Sequence, residues 1–246
     1  MIKEKIAALE HSLNNVEVTY NPVKKDENKQ NYKLLIRNLN LTEEKPFQWF
    51  LKRAFDYTVS FSGLIAISPL LALVAALIKL DSEGPVLYKQ KRIGLYGKEF
   101  KIYKFRSMRK DADKELDKLK GQNQTNDLMF KMFDDPRVTK IGKFIRKYSI
   151  DELPQLFNVL RGEMSLVGPR PPLPGEVWHY EKRHYLRLAT VPGLTGLWQV
   201  SGRSTIKDFD AVLQIDYSYI DNWNFFTDIK ILAKTVPVVL FAKNAA

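Results

Sequence analysis

The stretch VSFSGLIAISPLLALVAALI, residues 59–78, contains no charged side chain in twenty positions. As a straight helix it would be roughly 30 Å long, which matches the hydrocarbon core of a bilayer. A buried core helix of a soluble protein is the alternative, and the length of the uncharged sequence argues against it. The stretch therefore predicts a segment that associates with a membrane.

Two details of this stretch predict a re-entrant anchor rather than a span. The Ser68-Pro69 dipeptide lies near the midpoint, and proline removes a helical hydrogen bond and bends the helix axis. Cations lie on both flanks, and the positive-inside rule would keep both flanks in the cytoplasm. A helix–break–helix hairpin satisfies both facts, and Ser68 could supply a partner for the backbone freed at the bend. The flanking cations are Lys52, Arg53, Lys79, Lys89, Lys91 and Arg92.

The composition limits the classes of function. The 246 residues carry a formal net charge of +11, which predicts a polyanionic partner: a nucleic acid, an anionic membrane surface or a phosphorylated substrate. The absence of cysteine excludes disulfides, thiolate catalysis and cysteine-based zinc sites. His179 and His184 are five positions apart and would not share a helical face well, so a histidine metal site or triad is not expected.

Three segments are predicted along the chain. Residues 1–45 are polar and charged, which is typical of an arm or linker, and their polarity predicts no secretory signal. The sequence IAALE within this arm resembles designed coiled-coil heptads, so part of the arm could be engineered. Residues 46–80 form the re-entrant anchor, and residues 81–246 form a domain on the cytoplasmic face of the membrane.

The domain is predicted to be α+β and mostly helical. Residues 84–108 alternate apolar and basic positions around two glycine turns, which predicts a small β-hairpin. Residues 109–127 predict a charged surface helix, and residues 176–190 predict an amphipathic interfacial helix with a basic, aromatic face. A turn–strand–turn is expected over residues 191–204, followed by a mostly helical tail over residues 209–241 that is rich in interfacial aromatics.

The stretch YSIDELPQLFNVLRGEMSLVGPRP, residues 148–171, places two adjacent carboxylates, Asp151 and Glu152, before an apolar run. Pro154 fits only the first turn of a helix, which predicts a helix that starts with Asp151 as its cap. Asp151 would then lie at the positive end of the helix dipole. Ser149 and Glu152 also match a capping box, so a purely structural role of the two acids is the alternative.

The surrounding cations favour phosphate chemistry over the structural role. Arg170 lies between prolines that would hold its guanidinium rigidly, which suits bidentate binding of phosphate. Aspartate is a competent nucleophile towards phosphorus, and basic neighbours would keep Asp151 ionised. Glu152, with Asp151, is the predicted ligand of Mg²⁺, which neutralises phosphate charge during transfer. The cations before the acidic pair are Lys143, Arg146 and Lys147.

Three motifs resemble a known family. They are KFRSM (residues 104–108), DPRVTKIGKFIRKYSIDELPQLFNVLRGEMSLVGPRP (135–171) and PGLTGLWQVSGR (192–203). They resemble the bacterial monotopic phosphoglycosyl transferases, also called bacterial sugar transferases, and the resemblance runs from about residue 52 to about residue 234. Long motifs in the expected order make a chance similarity very improbable.

The resemblance implies a specific reaction. Members transfer a sugar-1-phosphate from a UDP-sugar to polyprenyl (undecaprenyl) phosphate and release UMP, at the cytoplasmic face of the bacterial inner membrane. By resemblance, Asp151 attacks the β-phosphate to form a covalent phosphosugar–enzyme intermediate, and Glu152 acts with Mg²⁺. Arg146 and Arg170 match the family's phosphate-binding arginines, and the Ser68-Pro69 dipeptide matches the bend of its re-entrant helix. The resemblance also assigns substrate phosphate or nucleotide contacts to Lys104, Arg106 and Arg203.

The chain departs from many relatives at Glu163, where they have aspartate; either a ligand with altered reach or a surface acid would fit. Larger relatives also carry several membrane spans and a soluble module before the catalytic part. The GLWQVSGR segment resembles the larger, hexose-transferring branch, which favours glucose or galactose.

Two other functions compete with the transferase. A membrane-anchored nucleic-acid-binding protein would explain the basic hairpin but not the acidic pair, and a non-catalytic scaffold would be expected to lose that pair. The expected partners are therefore a UDP-sugar, polyprenyl phosphate and membrane lipids, without nucleic acid. A homo-oligomer is compatible with the sequence.

Overall fold

The computed structural model describes residues 45–115, 135–202, 206 and 208–241. The arm at residues 1–44, most of the charged helix expected at residues 109–127, and Arg203 lie outside the described residues. The hairpin, the anchor segment and the acidic pair all lie within them.

The described chain is α+β and mostly helical, as the sequence predicts. Two strand pairs occur, one antiparallel (β1 with β2) and one parallel (β3 with β4). The helices and strands are α1 (Pro46–Asp81), β1 (Leu87–Ile93), β2 (Glu99–Phe105), α2 (Lys140–Lys147), α3 (Leu156–Leu160), β3 (Ser165–Val167), α4 (Pro174–Val177), β4 (Gly193–Thr195), α5 (Leu197–Gly202), α6 (Phe209–Asp221) and α7 (Phe225–Phe241). Short 3-10 helices occupy Leu95–Gly97, Ala112–Glu115, Ile150–Gln155 and Lys182–Ala189.

The uncharged stretch lies inside the single long helix α1. Pro69 is within this helix, and the helix continues through it. Because proline has no N–H, the Ile65 carbonyl one turn earlier loses its helical donor. The Ser68 hydroxyl donates to that carbonyl at 2.8 Å, which confirms that Ser68 satisfies the backbone freed by the proline. A bend at this point stays a prediction.

The two faces of α1 differ in chemistry. The buried face recurs at helical spacing and packs against the rest of the chain. The opposite face exposes large apolar side chains, among them Phe61 (61%) and Leu80 (86%). Among the described residues, α1 is the one helix long and apolar enough to cross a membrane, with a mean hydropathy of 2.4 over a window that is only 17% buried. These features support membrane association. The buried positions are Lys52, Asp56, Ser60, Leu64, Val74 and Ile78.

A buried polar network joins the start of α1 to the domain. Lys52 Nζ lies 2.6 Å from Asp228 Oδ2 of α7 and donates to the Val167 carbonyl of β3 at 2.8 Å. The Tyr219 hydroxyl donates to the other Asp228 oxygen at 2.8 Å. The sequence counts Lys52 among the flanking cations, but the structure uses it inside the fold, where it is 2% exposed.

The predicted hairpin is confirmed, and it directs one lysine inward. Phe100 and Ile102 of β2 are buried against Val159 and Met164. Because side chains alternate along a strand, Lys104 lies on the same face of β2 as these two residues. The hairpin therefore carries a cation towards the interior of the domain.

The prediction of an interfacial helix over residues 176–190 is wrong. This segment contains a 3-10 helix that packs in the core, where Tyr185 and Leu186 are each 1% exposed. Its buried cation, Arg187, forms an ion pair with Asp216 of α6 at 2.8 Å. The local pattern could not reveal this burial, because the acid that compensates Arg187 is distant in sequence. The expected turn–strand–turn after it contains β4 but continues as helix α5.

We predict that Lys52→Met destabilises the fold by about 3–5 kcal/mol, because Asp228 would be left as an uncompensated buried charge. Urea unfolding in detergent micelles, followed by tryptophan fluorescence, measures the change. Lys79→Met is the matched control: it removes an exposed cation of the same helix and should change the free energy of unfolding by less than about 0.5 kcal/mol. Equal stability of the two variants would contradict a structural role for the pair.

Candidate active site

The adjacent acids lie within a 3-10 helix rather than at the cap of an α-helix. Ser149 occupies the N-cap position in a left-handed conformation (φ 54°), so Asp151 is the second residue of the helix Ile150–Gln155. Pro154 lies inside this helix, where it has no backbone N–H to donate. The predicted cap at Asp151 is therefore wrong. The capping-box alternative fails as well, since Ser149 forms no side-chain capping bond.

Two cations bind Glu152. Lys104 Nζ lies 2.6 Å from Glu152 Oε1, and Arg170 Nη1 lies 3.6 Å from the same oxygen. The neighbouring Asp151 is 9% exposed. The structure thus brings together four of the residues that the sequence assigns to the site, from three separate parts of the chain.

The electrostatics of this cluster favour an additional anion. Burial is the main cause that lowers the pKa of Lys104; Arg170 and Arg92 lower it further, while Glu152 and Asp151 oppose the shift. Two cations therefore repel the Lys104 ammonium in a partly desolvated place, and the two carboxylates attract it. Added negative charge would relieve the repulsion among the cations, so the cluster is suited to bind phosphate.

Arg170 belongs to a proline-rich loop, residues 168–173, which we call the proline strap. The strap follows β3 and lies against β4, where the Gly193 N–H donates to the Pro169 carbonyl at 2.9 Å. A Cβ on Gly193 would lie 2.0 Å from the Gly168 nitrogen, closer than any side chain permits. Glycine at position 193 therefore allows the approach that sets the strap beside β4.

Arg92 is a member of the site that the sequence did not assign. It is counted there as a flanking cation, but it is 6% exposed at the end of β1. Burial lowers the pKa of Arg92 to about 10; the nearby Arg170 contributes to this shift, whereas Glu176 and Glu152 oppose it. The alternation of the strand could have identified Arg92 from the sequence. Because Lys91 is exposed on β1, the neighbouring Arg92 lies on the opposite face.

The remaining predicted cations lie elsewhere. Arg106 is 7% exposed and donates to the Glu83 carbonyl at 2.7 Å, near the end of α1, which is a structural contact. Arg146 is in the last turn of α2. There it helps to lower the pKa of Asp135, whose main partner is the hydrogen-bonded Arg137. The assignment of Arg106 and Arg146 to substrate phosphate stays a prediction.

Glu163, the position of departure from many relatives, supports the scaffold. It accepts from Asn158 Nδ2 at 2.7 Å. Asn158 in turn donates to the Lys101 carbonyl at 2.8 Å and accepts from the Tyr103 N–H at 3.1 Å. Glu163 thus helps to attach α3 to β2.

A cleft of about 500 Å³ opens beside the acidic pair. Its charged end includes Glu152, Arg170 and Lys147, and most of the remaining lining is apolar, such as Leu194 and Phe241. The C-terminal half of α7 contributes one wall. A cleft with a charged end and an apolar body suits an amphipathic ligand.

Comparison with known proteins agrees with this arrangement. The sequence profile described as bacterial sugar transferase matches residues 47–242. The galactosyl transferase CpsE of Streptococcus agalactiae is 48% identical over 194 residues, which are 79% of this chain and 43% of the relative. The exopolysaccharide production protein ExoY of Sinorhizobium fredii is 40% identical over 205 residues, 82% of this chain and 90% of the relative. The undecaprenyl-phosphate galactose phosphotransferase of Salmonella typhimurium is 46% identical over 195 residues, 78% of this chain and 40% of the relative.

The fold joins an apolar, membrane-type helix to an α+β domain, and the domain places two adjacent acids among cations. These features define a membrane-associated domain that is suited to bind phosphate. The chain belongs to the bacterial sugar transferase family. It spans less than half the length of CpsE and of the Salmonella relative, and most of the length of ExoY.

We predict that Gly193→Ala displaces the proline strap and lowers transferase turnover at least about 100-fold, since misplacing a positioned group costs on that order. The steady-state turnover of the variant, relative to that of the wild-type chain, measures the effect. Gly175→Ala is the matched control, because a Cβ there would meet nothing within 4 Å. If Gly193→Ala retained the turnover of Gly175→Ala, the close approach would not position the site.

Proposed function

We propose that the chain transfers a sugar-1-phosphate from a UDP-hexose, glucose or galactose, to undecaprenyl phosphate and releases UMP. The placement of Glu152 and Arg170 at the charged end of an apolar cleft, with Lys104 bound to Glu152 and Asp151 next to it in sequence, carries this proposal. The names of relatives support it: the Salmonella typhimurium and Komagataeibacter xylinus proteins are named undecaprenyl-phosphate galactose and glucose phosphotransferases. The name of ExoY supports a role in exopolysaccharide production.

Asp151 is the proposed nucleophile. Its carboxylate oxygen bonds to the β-phosphorus of the UDP-sugar, and the bond from that phosphorus to the bridging oxygen breaks. The bridging oxygen leaves with the electron pair as part of UMP. A phosphate oxygen of the acceptor then attacks the same phosphorus, which frees the Asp151 carboxylate and yields the lipid diphosphate sugar. The first step needs the ionised form of the carboxylate.

The same acids fit the way Mg²⁺ binds phosphate substrates, through one or two carboxylates with phosphate oxygens and water. Over the described ranges no cluster of three or more His, Cys, Asp or Glu could hold a metal. Asp151 and Glu152 are the two residues that we propose would hold the ion, with phosphate oxygens and water as its other ligands. When bound, the ion would neutralise charge on the phosphoryl group. Lys104 holds one Glu152 oxygen and would orient this carboxylate.

The cleft suits the lipid acceptor. Arg170 at its charged end can bind the phosphate, and Leu232, Val238 and Phe241 of α7 line its apolar body. The surface of α7 also exposes apolar side chains, such as Leu240 at 65%. A prenyl chain could therefore pass from the bilayer along α7 into the cleft without crossing a polar surface.

The test of the proposed function is capture of the intermediate. Incubation with Mg²⁺ and the correct UDP-sugar, without acceptor, should release UMP and add one phosphosugar mass to the peptide that contains Asp151. Asp151→Asn keeps the size but removes the charge and most of the nucleophilicity, so the adduct and turnover should both disappear while stability changes little. Rapid-quench mass spectrometry with donors such as UDP-glucose and UDP-galactose provides the measurement.

Glu152→Gln is the matched control for this experiment. It should lower the rate of adduct formation but leave the adduct on Asp151, because its role is to bind metal or cations. If UMP formed only with acceptor present and no adduct could be trapped, direct transfer to the lipid would be the better mechanism, with Asp151 as a base or metal ligand.

We further propose that α1 is re-entrant, with both ends on the cytoplasmic face of the inner membrane. The contacts of its two ends support this. Lys52 is bound by α7 and β3 near one end, and Val74 and Ile78 near the other end pack with Phe105 and Ile145. A perpendicular span would separate the two ends by the thickness of a bilayer, whereas both ends contact the same domain.

Cysteines introduced singly at Phe47 and at Lys89 test this topology, since both positions are exposed and the chain contains no native cysteine. We expect a membrane-impermeant maleimide to label both in inverted vesicles and neither in intact cells, because both flanks face the cytoplasm. A permeant maleimide checks that each thiol is reactive. Labelling of the two positions from opposite sides would refute the re-entrant arrangement.

A further inference from the structure

The proline strap has few backbone donors of its own, and the two that bind are at its ends: the Gly168 N–H donates to the Thr195 carbonyl and the Leu173 N–H to Glu176 Oε2, each at 2.9 Å. Three of its residues are prolines, which have no N–H, so their backbone can accept hydrogen bonds but not donate them. Donors from other parts of the chain bind four consecutive carbonyls of the strap. The Gly193 N–H binds Pro169 (2.9 Å), Arg187 Nη2 binds Arg170 (3.4 Å), Arg92 Nη1 binds Pro171 (2.9 Å) and the Ile93 N–H binds Pro172 (3.0 Å).

Arg92 has the better geometry of the two arginines for holding the strap. Its Nη1 donates to the Pro171 carbonyl at 2.9 Å and its Nη2 donates to Gln90 Oε1 at 2.7 Å. Two bonds on a planar guanidinium fix its orientation as well as its position. Arg187 reaches the Arg170 carbonyl at the longer distance of 3.4 Å, and its charge is committed to the ion pair with Asp216.

Arg92 binds the carbonyl of the residue directly after Arg170, the cation of the strap that contacts Glu152. Pro171 directly follows Arg170, whose guanidinium lies 3.6 Å from Glu152. A shift of the Pro171 carbonyl would therefore move Arg170 relative to Glu152. The prolines restrict the internal torsions of the strap, but they do not determine where the strap lies.

We propose that Arg92 is a positioning residue, which holds Arg170 over the acidic pair by binding the Pro171 carbonyl. It acts through Arg170 and not on the substrate. This inference rests on the proposed function for its kinetic consequence, but its structural part stands independently. The proposal also explains why Arg92 is buried beside another cation, Arg170. The Arg92 guanidinium can bind the Pro171 carbonyl with one nitrogen while Gln90 binds the other and fixes its orientation.

A double-mutant cycle between Arg92 and Arg170 tests the proposal on the full chain in nanodiscs, with UMP release as the assay. Arg92→Met should lower kcat/KM about 100-fold, as expected for a misplaced group. In the Arg170→Met background the same change should cost no more than about twofold, because the residue through which it acts is gone. Arg92→Lys keeps the charge but lacks the forked guanidinium, so it should recover only a small part of the kcat/KM that Arg92→Met loses. Lys91→Met, which removes an exposed cation of the same strand, should retain wild-type turnover.

Hydrogen exchange supplies a second measurement that does not depend on activity. In Arg92→Met the amides of Gly168, Arg170 and Leu173, the residues of the strap that carry an N–H, should exchange about tenfold faster, while those at the start of α1 remain unchanged. Additive losses in the cycle, or unchanged exchange in the strap, would overturn the proposal. If the wild-type chain released no UMP from any UDP-sugar while exchange rose only in the strap, the proposed function would fail and the positioning role would stand.

Discussion

The buried ion pair between Lys52 and Asp228 connects the apolar helix α1 to the rest of the fold. It brings α1, α7 and β3 together, because Lys52 also donates to the Val167 carbonyl at the end of β3. The proline strap begins at the next residue, so the contact that attaches the membrane-type helix also fixes the start of the strap that carries Arg170. Neither charge of the pair could remain buried alone, since an unpaired charge in this place would cost several kcal/mol.

The site gathers three cations, Lys104, Arg170 and Arg92, around the adjacent acids. Burial lowers the pKa of Lys104 and of Arg92, and Arg170 adds to both shifts. A phosphate group would add negative charge that these cations attract. The apolar cleft next to the charged cluster brings a lipid-compatible surface to the same place. Under the proposed function, a phosphate substrate and a lipid acceptor could therefore meet there. The charges would not enter lipid, and the prenyl chain would not enter water.

Local patterns predicted the features that depend on neighbours in sequence. The uncharged run and the aromatic tail follow from composition, and the hairpin follows from alternation; the structure has helices at the first two and the hairpin at the third. The predictions that failed depended on contacts at a distance. The pattern of residues 176–190 predicts an interfacial helix, but Asp216 compensates Arg187 in the core. The pattern around Asp151 predicts a helix cap, but Ser149 occupies that position in a left-handed conformation.

The sequence by itself determined the chemical groups: a pair of adjacent acids, an arginine between prolines, an apolar run with a central proline, and motifs that resemble one family. Only the tertiary structure decided which charges meet. Lys104 binds Glu152, which is 48 positions away in the sequence. Arg92 binds a carbonyl of the proline strap, and Lys52 is buried in an ion pair with Asp228. The physical reason is that the free energy of a charge depends on burial and on distances to other charges. Both are set by how distant segments pack, which no local pattern encodes.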